Sequence, residues 1–290
     1  MAVTAALVKE LRERTGLGMM ECKKALVETQ GDIETAIDNL RKSGQAKAAK
    51  KAGRTAAEGI VGLATEQGVG VLLEVNSETD FVARNEEFVA FVDQINQTIL
   101  DQQPADVDAL VALPLVGGEK TVEQTRNALV QKIGENIQVR RFACARGDLV
   151  VGYVHSNQKV GAIVALNGGD ESLGRDIAMH ITATNPMVVN PSDVPESALA
   201  KEKEIFTAQA KESGKPDNII EKMIAGRLKK FEAEVSLVEQ PFVKDPDTKI
   251  GQLLKANSAS VQAFFRYEVG EGIEKEEKDF AQEVMEQVRG

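Results

Sequence analysis

The strongest constraint on the fold of this chain is an internal repeat. Residues 61–76 and residues 151–167 share one order of valine, glycine and aliphatic residues, at an offset of 90 that becomes 91 within the segment. In each copy two β-rich stretches flank a polar turn, and a polar loop and an amphipathic helix follow. The glycines, which permit tight turns, recur at matching positions. The repeat predicts two related α+β halves, and chance similarity of two hairpins is the alternative.

The helix that ends each copy is identified by apolar residues at helical spacing. Its predicted apolar face consists of Phe88, Phe91, Val92 and Ile95 in the first copy and of Ile177, Ala178 and Ile181 in the second.

Helices are also predicted on both sides of the repeated segments. Residues 1–44 contain three stretches with helical spacing, of which the third begins at a capping Asp32 and ends at Ser43-Gly44. Residues 195–235 contain two apolar stripes separated by a Gly- and Pro-containing turn, which is typical of an antiparallel helical hairpin. The apolar seam of such a hairpin either closes within one chain or serves self-association.

The predicted fold class is therefore α+β and multidomain. Its parts are a three-helix bundle at 1–44, a basic linker at 45–58, a first core subdomain at 59–142, a second core subdomain at 143–194 and 236–269, an inserted helical hairpin at 195–235 and a C-terminal module at 270–290. The last module contains a predicted acidic helix at 279–288, which is either a solvated tail or a surface for a basic partner.

The charge balance argues against a nucleic-acid-binding protein. The 290 residues include 35 Lys and Arg against 45 Asp and Glu, with ten Phe, two Tyr and no Trp. Residues 1–55 are nevertheless basic, with eleven Lys and Arg against seven Asp and Glu. The segment 45–54 is thus either a solvated, partly helical linker or an RNA-binding patch, and the acidic whole favours the linker.

The inventory of reactive residues does not indicate an enzyme. The chain has His155 and His180, Cys22 and Cys144, and no CxxC, HExxH, GxxxxGK[ST], GxGxxG or GxSxG pattern. We expect no metal, no cofactor and no covalent catalysis, with both cysteines as buried thiols. Since no apolar run reaches about 18 residues and no signal-peptide core follows the first residues, we expect a cytoplasmic protein.

One polar loop in the first copy contains a large aromatic residue. Residues 76–80 are polar, and Phe81 follows them just before the predicted helix. Loops lie at the surface, so Phe81 either packs beneath its own helix or is exposed as an anchor for a partner.

Several short motifs, taken together, resemble the elongation factor Ts family. They are Thr79-Asp80-Phe81-Val82, Glu10 to Gly16 with Gly18 to Leu26, Glu239 to Val243, Gly251 to Leu254 and Val269 to Ile273. They occur in the family's order and extend over essentially the whole chain.

The resemblance implies a guanine-nucleotide exchange factor for the GTPase elongation factor Tu, which would be its partner. It also implies that the N-terminal bundle is ubiquitin-associated-like and that the helical hairpin is a dimerisation module. The segment Thr79, Asp80, Phe81, Val82 would enter the GTPase beside its magnesium site. Phe81 would act there as a wedge between helices, the magnesium contacts would be lost, and GDP would leave.

The resemblance implies further contacts with the GTPase at Met19, Met20 and His155. From the residues alone, Met19 and Met20 are interpreted as bundle core, and His155 as an exposed turn residue. The turn after His155 is not rich in glycine as is common in the family. His180 is predicted to be structural. A protein-binding adaptor without exchange activity remains the alternative function.

Overall fold

The computed structural model describes residues 3–211 and 216–274. The chain divides into two units, each of which is compact. The first unit comprises residues 1–62, 73–142 and 268–290, and the second comprises residues 63–72 and 143–267, within the described ranges.

The first unit begins with the three helices of the N-terminal bundle. These are α1 (Ala5–Thr15), α2 (Met19–Glu28) and α3 (Ile33–Lys51). Asp32 accepts a hydrogen bond from the Thr35 N–H at 3.0 Å and so caps α3, as predicted. The bundle core is built from apolar residues at helical spacing, with Leu11, Cys22 and Leu26 fully buried.

The predicted end of the third helix at Ser43-Gly44 is wrong. Helix α3 continues to Lys51 because the residues after Gly44 are mostly Ala, Lys and Gln, which are good helix formers. Gly44 is instead a packing residue, since a Cβ there would lie 2.3 Å from the Gln131 side chain. Half of the segment interpreted as a linker is therefore helix.

The rest of the first unit is α+β. It contains most of a three-stranded sheet with the order β1-β2-β3, and four helices. The elements are β1 (Glu58–Glu66), β2 (Val69–Ser77), α4 (Asp80–Ala83), α5 (Glu86–Gln102), α6 (Val107–Ala112), α7 (Val122–Ile133) and β3 (Ile137–Arg146). The predicted apolar face of α5 is confirmed, because Phe88, Phe91, Val92 and Ile95 are all buried.

The second unit contains a second three-stranded sheet, with the order β4-β5-β8. Strands β4 and β5 are antiparallel, with Leu149 opposite Leu166 and Val154 opposite Gly161. The elements are β4 (Leu149–Val154), β5 (Val160–Asn167), α8 (Glu171–Thr184), α9 (Glu196–Lys211), α10 (Asp217–Val235), β6 (Pro241–Phe242), β7 (Asp245–Lys249), α11 (Ile250–Ala256) and β8 (Ser260–Glu268). Ile177, Ala178 and Ile181 of α8 are buried, as predicted.

Helices α9 and α10 pack on each other as an antiparallel pair through a small apolar cluster. Ala210, Ile220 and Ile224 are buried in it, and Leu228 packs against them. Ile205 and Ile219 are exposed. The predicted C-terminal helix at 279–288 lies outside the described residues.

A buried carboxylate joins residues 268–271 to the sheet of the first unit. Glu74 of β2 is fully buried and accepts hydrogen bonds from Arg140 Nη1 at 2.9 Å, Arg141 Nε at 2.6 Å and the Gly270 N–H at 2.8 Å. Burial by itself raises the pKa of Glu74, but these donors outweigh it and the pKa is lowered. Arg141 also pairs with Glu271 at 3.1 Å. The strand thereby holds the start of the C-terminal module.

His180 of α8 is a fully buried structural residue, as predicted. Its Nδ1 accepts a hydrogen bond from the Val243 N–H at 3.3 Å, and its Nε2 lies 2.9 Å from Gln240 Oε1. One nitrogen accepts and the other donates, so the neutral imidazole satisfies both contacts. Cys22 is buried and Cys144 is half-buried, and both are free thiols.

We expect His180 to make stability depend on pH. Burial lowers the pKa of His180 below its ordinary value of 6.5, so below pH 6.5 the unfolded chain binds a proton that the folded chain does not. The free energy of unfolding should therefore fall as the pH drops below 6.5 and be independent of this group above it. The slope should exceed that of a His180→Gln variant by up to about 1.4 kcal/mol per pH unit. Urea unfolding from pH 7.5 to 5 measures it, and equal slopes would contradict the assignment.

Candidate partner-binding site

The surface of the first unit presents four large apolar side chains to solvent. Met19, Met20 and Val27 of α2 are 59%, 74% and 58% exposed, and Phe81 is 82% exposed. Large apolar groups at such exposure are typical of protein-binding surfaces when they cluster or stand on ordered turns. The interpretation of Phe81 as a residue packed beneath its own helix is therefore wrong.

The local sequence explains why the Phe81 ring faces outward. Helix α4 is a single turn, and its next two residues, Val82 and Ala83, are buried at 7% and 2% exposure. Thr79 caps the start of this turn, and Asn85 caps the next helix by accepting from the Glu87 N–H at 2.9 Å. With one side of the turn fixed to the core, Phe81 lies on the other side.

Asp80 pairs with Arg84 at 3.0 Å across the same turn. The Arg84 side chain is 80% exposed and that of Asp80 is 42% exposed, so solvent screens the ion pair, which adds no more than about 0.5 kcal/mol to the stability of the turn. The carboxylate of Asp80 and the ring of Phe81 are both accessible to a partner.

A turn far along the chain anchors the segment that precedes Phe81. The carboxylate of Glu135 accepts two hydrogen bonds from Thr79, one from its N–H at 3.0 Å and one from its hydroxyl at 2.8 Å. The Glu78 carboxylate accepts from the Asn136 N–H. Glu135 could not be identified from the sequence, because it lies 56 residues from Thr79 and no local pattern links the two.

The same turn also contacts the end of the N-terminal bundle. Asn136 is buried at 3% exposure, and its Nδ2 donates to the Arg54 carbonyl at 2.8 Å. Lys51, the last residue of α3, donates to the Gly134 carbonyl. Residues 134–136 thus hold both α3 and the Phe81 loop.

Met19 and Met20 occupy the first turn of α2, directly after Gly18. Their interpretation as bundle core is wrong, since Cys22, Ala25 and Leu26 form the buried face of that helix. Met20 precedes Cys22 by two positions, which places it on the opposite side of the helix.

His155 belongs to the second unit and lies in the turn after β4. Its side chain is exposed, and its Nδ1 lies 3.1 Å from the Tyr153 hydroxyl. Its main chain closes the turn by donating to the Val160 carbonyl at 2.9 Å.

The described residues contain neither a metal-binding group of side chains nor a membrane-spanning helix. Within 3–211 and 216–274, no three His, Cys, Asp or Glu side chains are grouped so as to hold a metal ion. In the same ranges, none of the helices combines the length and the apolar character needed to cross a membrane.

Comparisons with known proteins identify the family. The family model described as Elongation factor TS matches residues 78–271. The chain belongs to the elongation factor Ts family. It is 56% identical to Elongation factor Ts of Hahella chejuensis, over 100% of this chain and 99% of that protein. It is 58% identical to Elongation factor Ts of Teredinibacter turnerae (99% and 98% covered) and of Alcanivorax borkumensis (98% and 100% covered).

The match to elongation factor Ts confirms the resemblance inferred from the short motifs. The family model includes Thr79 to Val82 and His155, whereas Met19 and Met20 precede it. The full-length relatives extend the similarity across the N-terminal bundle as well.

We expect the exposed Phe81 to contribute little to folding. Phe81→Ala should change the free energy of unfolding by no more than about 0.5 kcal/mol, because the ring is about as exposed to solvent in the folded chain as in the unfolded one. The matched variant Phe88→Ala removes a ring at 0% exposure and should cost about 3–5 kcal/mol. Urea unfolding of both variants tests this, and a large loss of stability in Phe81→Ala would show that the ring is packed.

Proposed function

We propose that this protein is a guanine-nucleotide exchange factor that binds the GDP complex of the GTPase elongation factor Tu and promotes GDP release in translation elongation. Membership of the elongation factor Ts family supports this class of function. The observation that carries the mechanism is the exposure of the Phe81 ring. The ring is 82% exposed, on a helical turn that Thr79 caps and whose next two residues are buried.

In the proposed mechanism Phe81 inserts between helices of the GTPase next to the bound magnesium ion. A divalent cation neutralises the diphosphate, so disturbing its coordination and the phosphate loop raises the free energy of the GDP complex. Asp80 meets polar groups of the GTPase, while Thr79 and Val82 fix the segment. By reciprocity, the factor binds the nucleotide-free GTPase more tightly than its GDP form.

Phe81 alone does not account for a large acceleration. Burying one Phe ring is worth about 1.5–3 kcal/mol, whereas a 10⁴-fold effect needs about 5.5 kcal/mol of differential binding. We therefore propose that Met19 and Met20 form a second contact region and His155 a third. Methionine side chains are flexible and polarizable, and they adapt to irregular apolar grooves.

The remaining features of the proposal follow from family membership and composition. The protein catalyses no covalent reaction, and it acts in the cytoplasm. The three-helix bundle, predicted at 1–44 and extended by α3 to Lys51, is ubiquitin-associated-like. The segments at 59–142 and at 143–194 with 236–269 are the two core subdomains, and the hairpin at 195–235 is a coiled-coil dimerisation module. The adaptor function remains the competing reading of the same exposed residues.

The central test is release of a fluorescent GDP analogue from elongation factor Tu. Phe81→Ala should slow factor-stimulated release roughly 10- to 100-fold, which corresponds to the loss of one buried ring. Met187→Ala, which removes a side chain 49% exposed in the second unit, is the control and should leave release unchanged.

Two outcomes would contradict the proposal. Unchanged release with Phe81→Ala would exclude the wedge role of this ring. Binding of the parent protein to the GTPase with no acceleration of release would favour the adaptor.

We expect the hairpin to mediate self-association through the apolar residues that its own seam leaves exposed. Ile205 and Ile219 are 39% and 43% exposed. Sedimentation velocity should show a concentration-dependent dimer for the parent protein and a monomer for the Ile205→Asp, Ile219→Asp variant, because a charge is not buried without a partner. A parent protein that sediments as a monomer at all concentrations would show that the seam closes within one chain.

A further inference from the structure

The turn at residues 134–136 is the part of the first unit on which the Phe81 loop is fixed. Glu135 binds Thr79 at two points, and Asn136 binds Glu78, so two successive residues before Asp80 are held. We infer that Glu135 is a positioning residue for nucleotide exchange, which acts by holding Phe81 in the orientation that enters the partner. This inference rests on the proposed function and assigns a role to a residue outside the loop.

The hydrogen bonds show how Glu135 acts. Helix α4 has four residues and is too short to be stable by its own backbone hydrogen bonds. Its cap is the Thr79 hydroxyl, which accepts from the Val82 N–H at 3.4 Å. A carboxylate only accepts, so Glu135 fixes the hydroxyl proton toward itself and leaves a lone pair of the oxygen for Val82. The carboxylate thus orients the cap of the turn that carries Phe81.

An orientation fixed before binding matters for exchange. A turn whose backbone is already ordered loses less conformational entropy when it enters a partner than a mobile one does. Glu135 therefore affects the exchange rate without touching the GTPase.

The turn also relates the two exposed apolar surfaces of the first unit. Lys51 of α3 donates to Gly134, and Asn136 donates to the Ala52 and Arg54 carbonyls just beyond that helix. The helix that closes the bundle of Met19 and Met20 and the loop of Phe81 are held by three consecutive residues. For a partner that contacts both surfaces, their relative position is therefore fixed before binding.

The test compares Glu135→Ala with Glu135→Gln and with Glu87→Ala. Glu135→Ala should slow stimulated GDP release about tenfold, the effect of losing one charge-assisted contact. Glu135→Gln should retain most of the rate, because its carbonyl accepts from the Thr79 N–H and its amide donates to the hydroxyl. The hydroxyl oxygen has two lone pairs, so it can accept from the Gln amide and still accept from the Val82 N–H. Glu87→Ala removes a nearby carboxylate that pairs with Lys132 and does not contact Thr79, and it should leave the rate unchanged.

A double variant separates positioning from a general structural effect. In a Phe81→Ala background, Glu135→Ala should slow release no further, because there is no ring left to position. Amide hydrogen exchange should be faster at Thr79 and Val82 in Glu135→Ala than in the parent protein. The midpoint of urea unfolding should be the same for Glu135→Ala as for the Glu87→Ala control.

The outcomes distinguish this inference from the proposed function. If Phe81→Ala leaves release unchanged, the proposed wedge fails. If Phe81→Ala slows release but Glu135→Ala does not, or if the two effects multiply, the positioning role of Glu135 is wrong. Slow release by Glu135→Gln equal to that of Glu135→Ala would also overturn it.

Discussion

The bidentate contact between Glu135 and Thr79 is the interaction on which the candidate site depends. An exposed phenylalanine on a four-residue helix has no packing of its own to fix it, so its direction is set by what holds the residues on either side. Thr79 is held by Glu135, and Val82 and Ala83 are buried. Exposing the ring is unfavourable, and the hydrogen bonds and buried apolar contacts of the neighbouring residues offset this. Such support is common where a protein surface is preorganised for a partner.

The first unit contains both buried and solvent-exposed ion pairs. Glu74 is fully buried, and it is satisfied by two arginines and a backbone N–H. Separating a buried carboxylate from its partners would leave an uncompensated charge and raise the free energy of the folded state. This network therefore fixes the start of the C-terminal module to the sheet. Arg84 is exposed and Asp80 is partly exposed, and the pair is weakly coupled, so the two side chains can change partners on binding. The buried ion pairs of Glu74 hold the C-terminal module to the sheet, and the solvent-screened pair of Asp80 and Arg84 lies beside the proposed contact.

Much of the fold was predictable, because hydrophobic periodicity specifies elements that bury one face. The buried faces of α5 and α8 were identified from spacing alone, and the hairpin helices lie close to their predicted positions. The end of α3 was not predictable locally. Glycine after an amphipathic stretch is a common helix terminator, but here Gly44 packs against Gln131, a residue that no local pattern brings near.

The sequence by itself determined the two hairpin-and-helix segments, the family and the identity of the loop that contains Phe81. It did not determine which large apolar residues are exposed, because periodicity describes a face and not what covers it. Met19, Met20 and Phe81 were open to a core interpretation until the packed structure showed what surrounds them. Only the tertiary structure brought Glu135 to Thr79, since a contact between residues 56 positions apart depends on how the intervening helices pack.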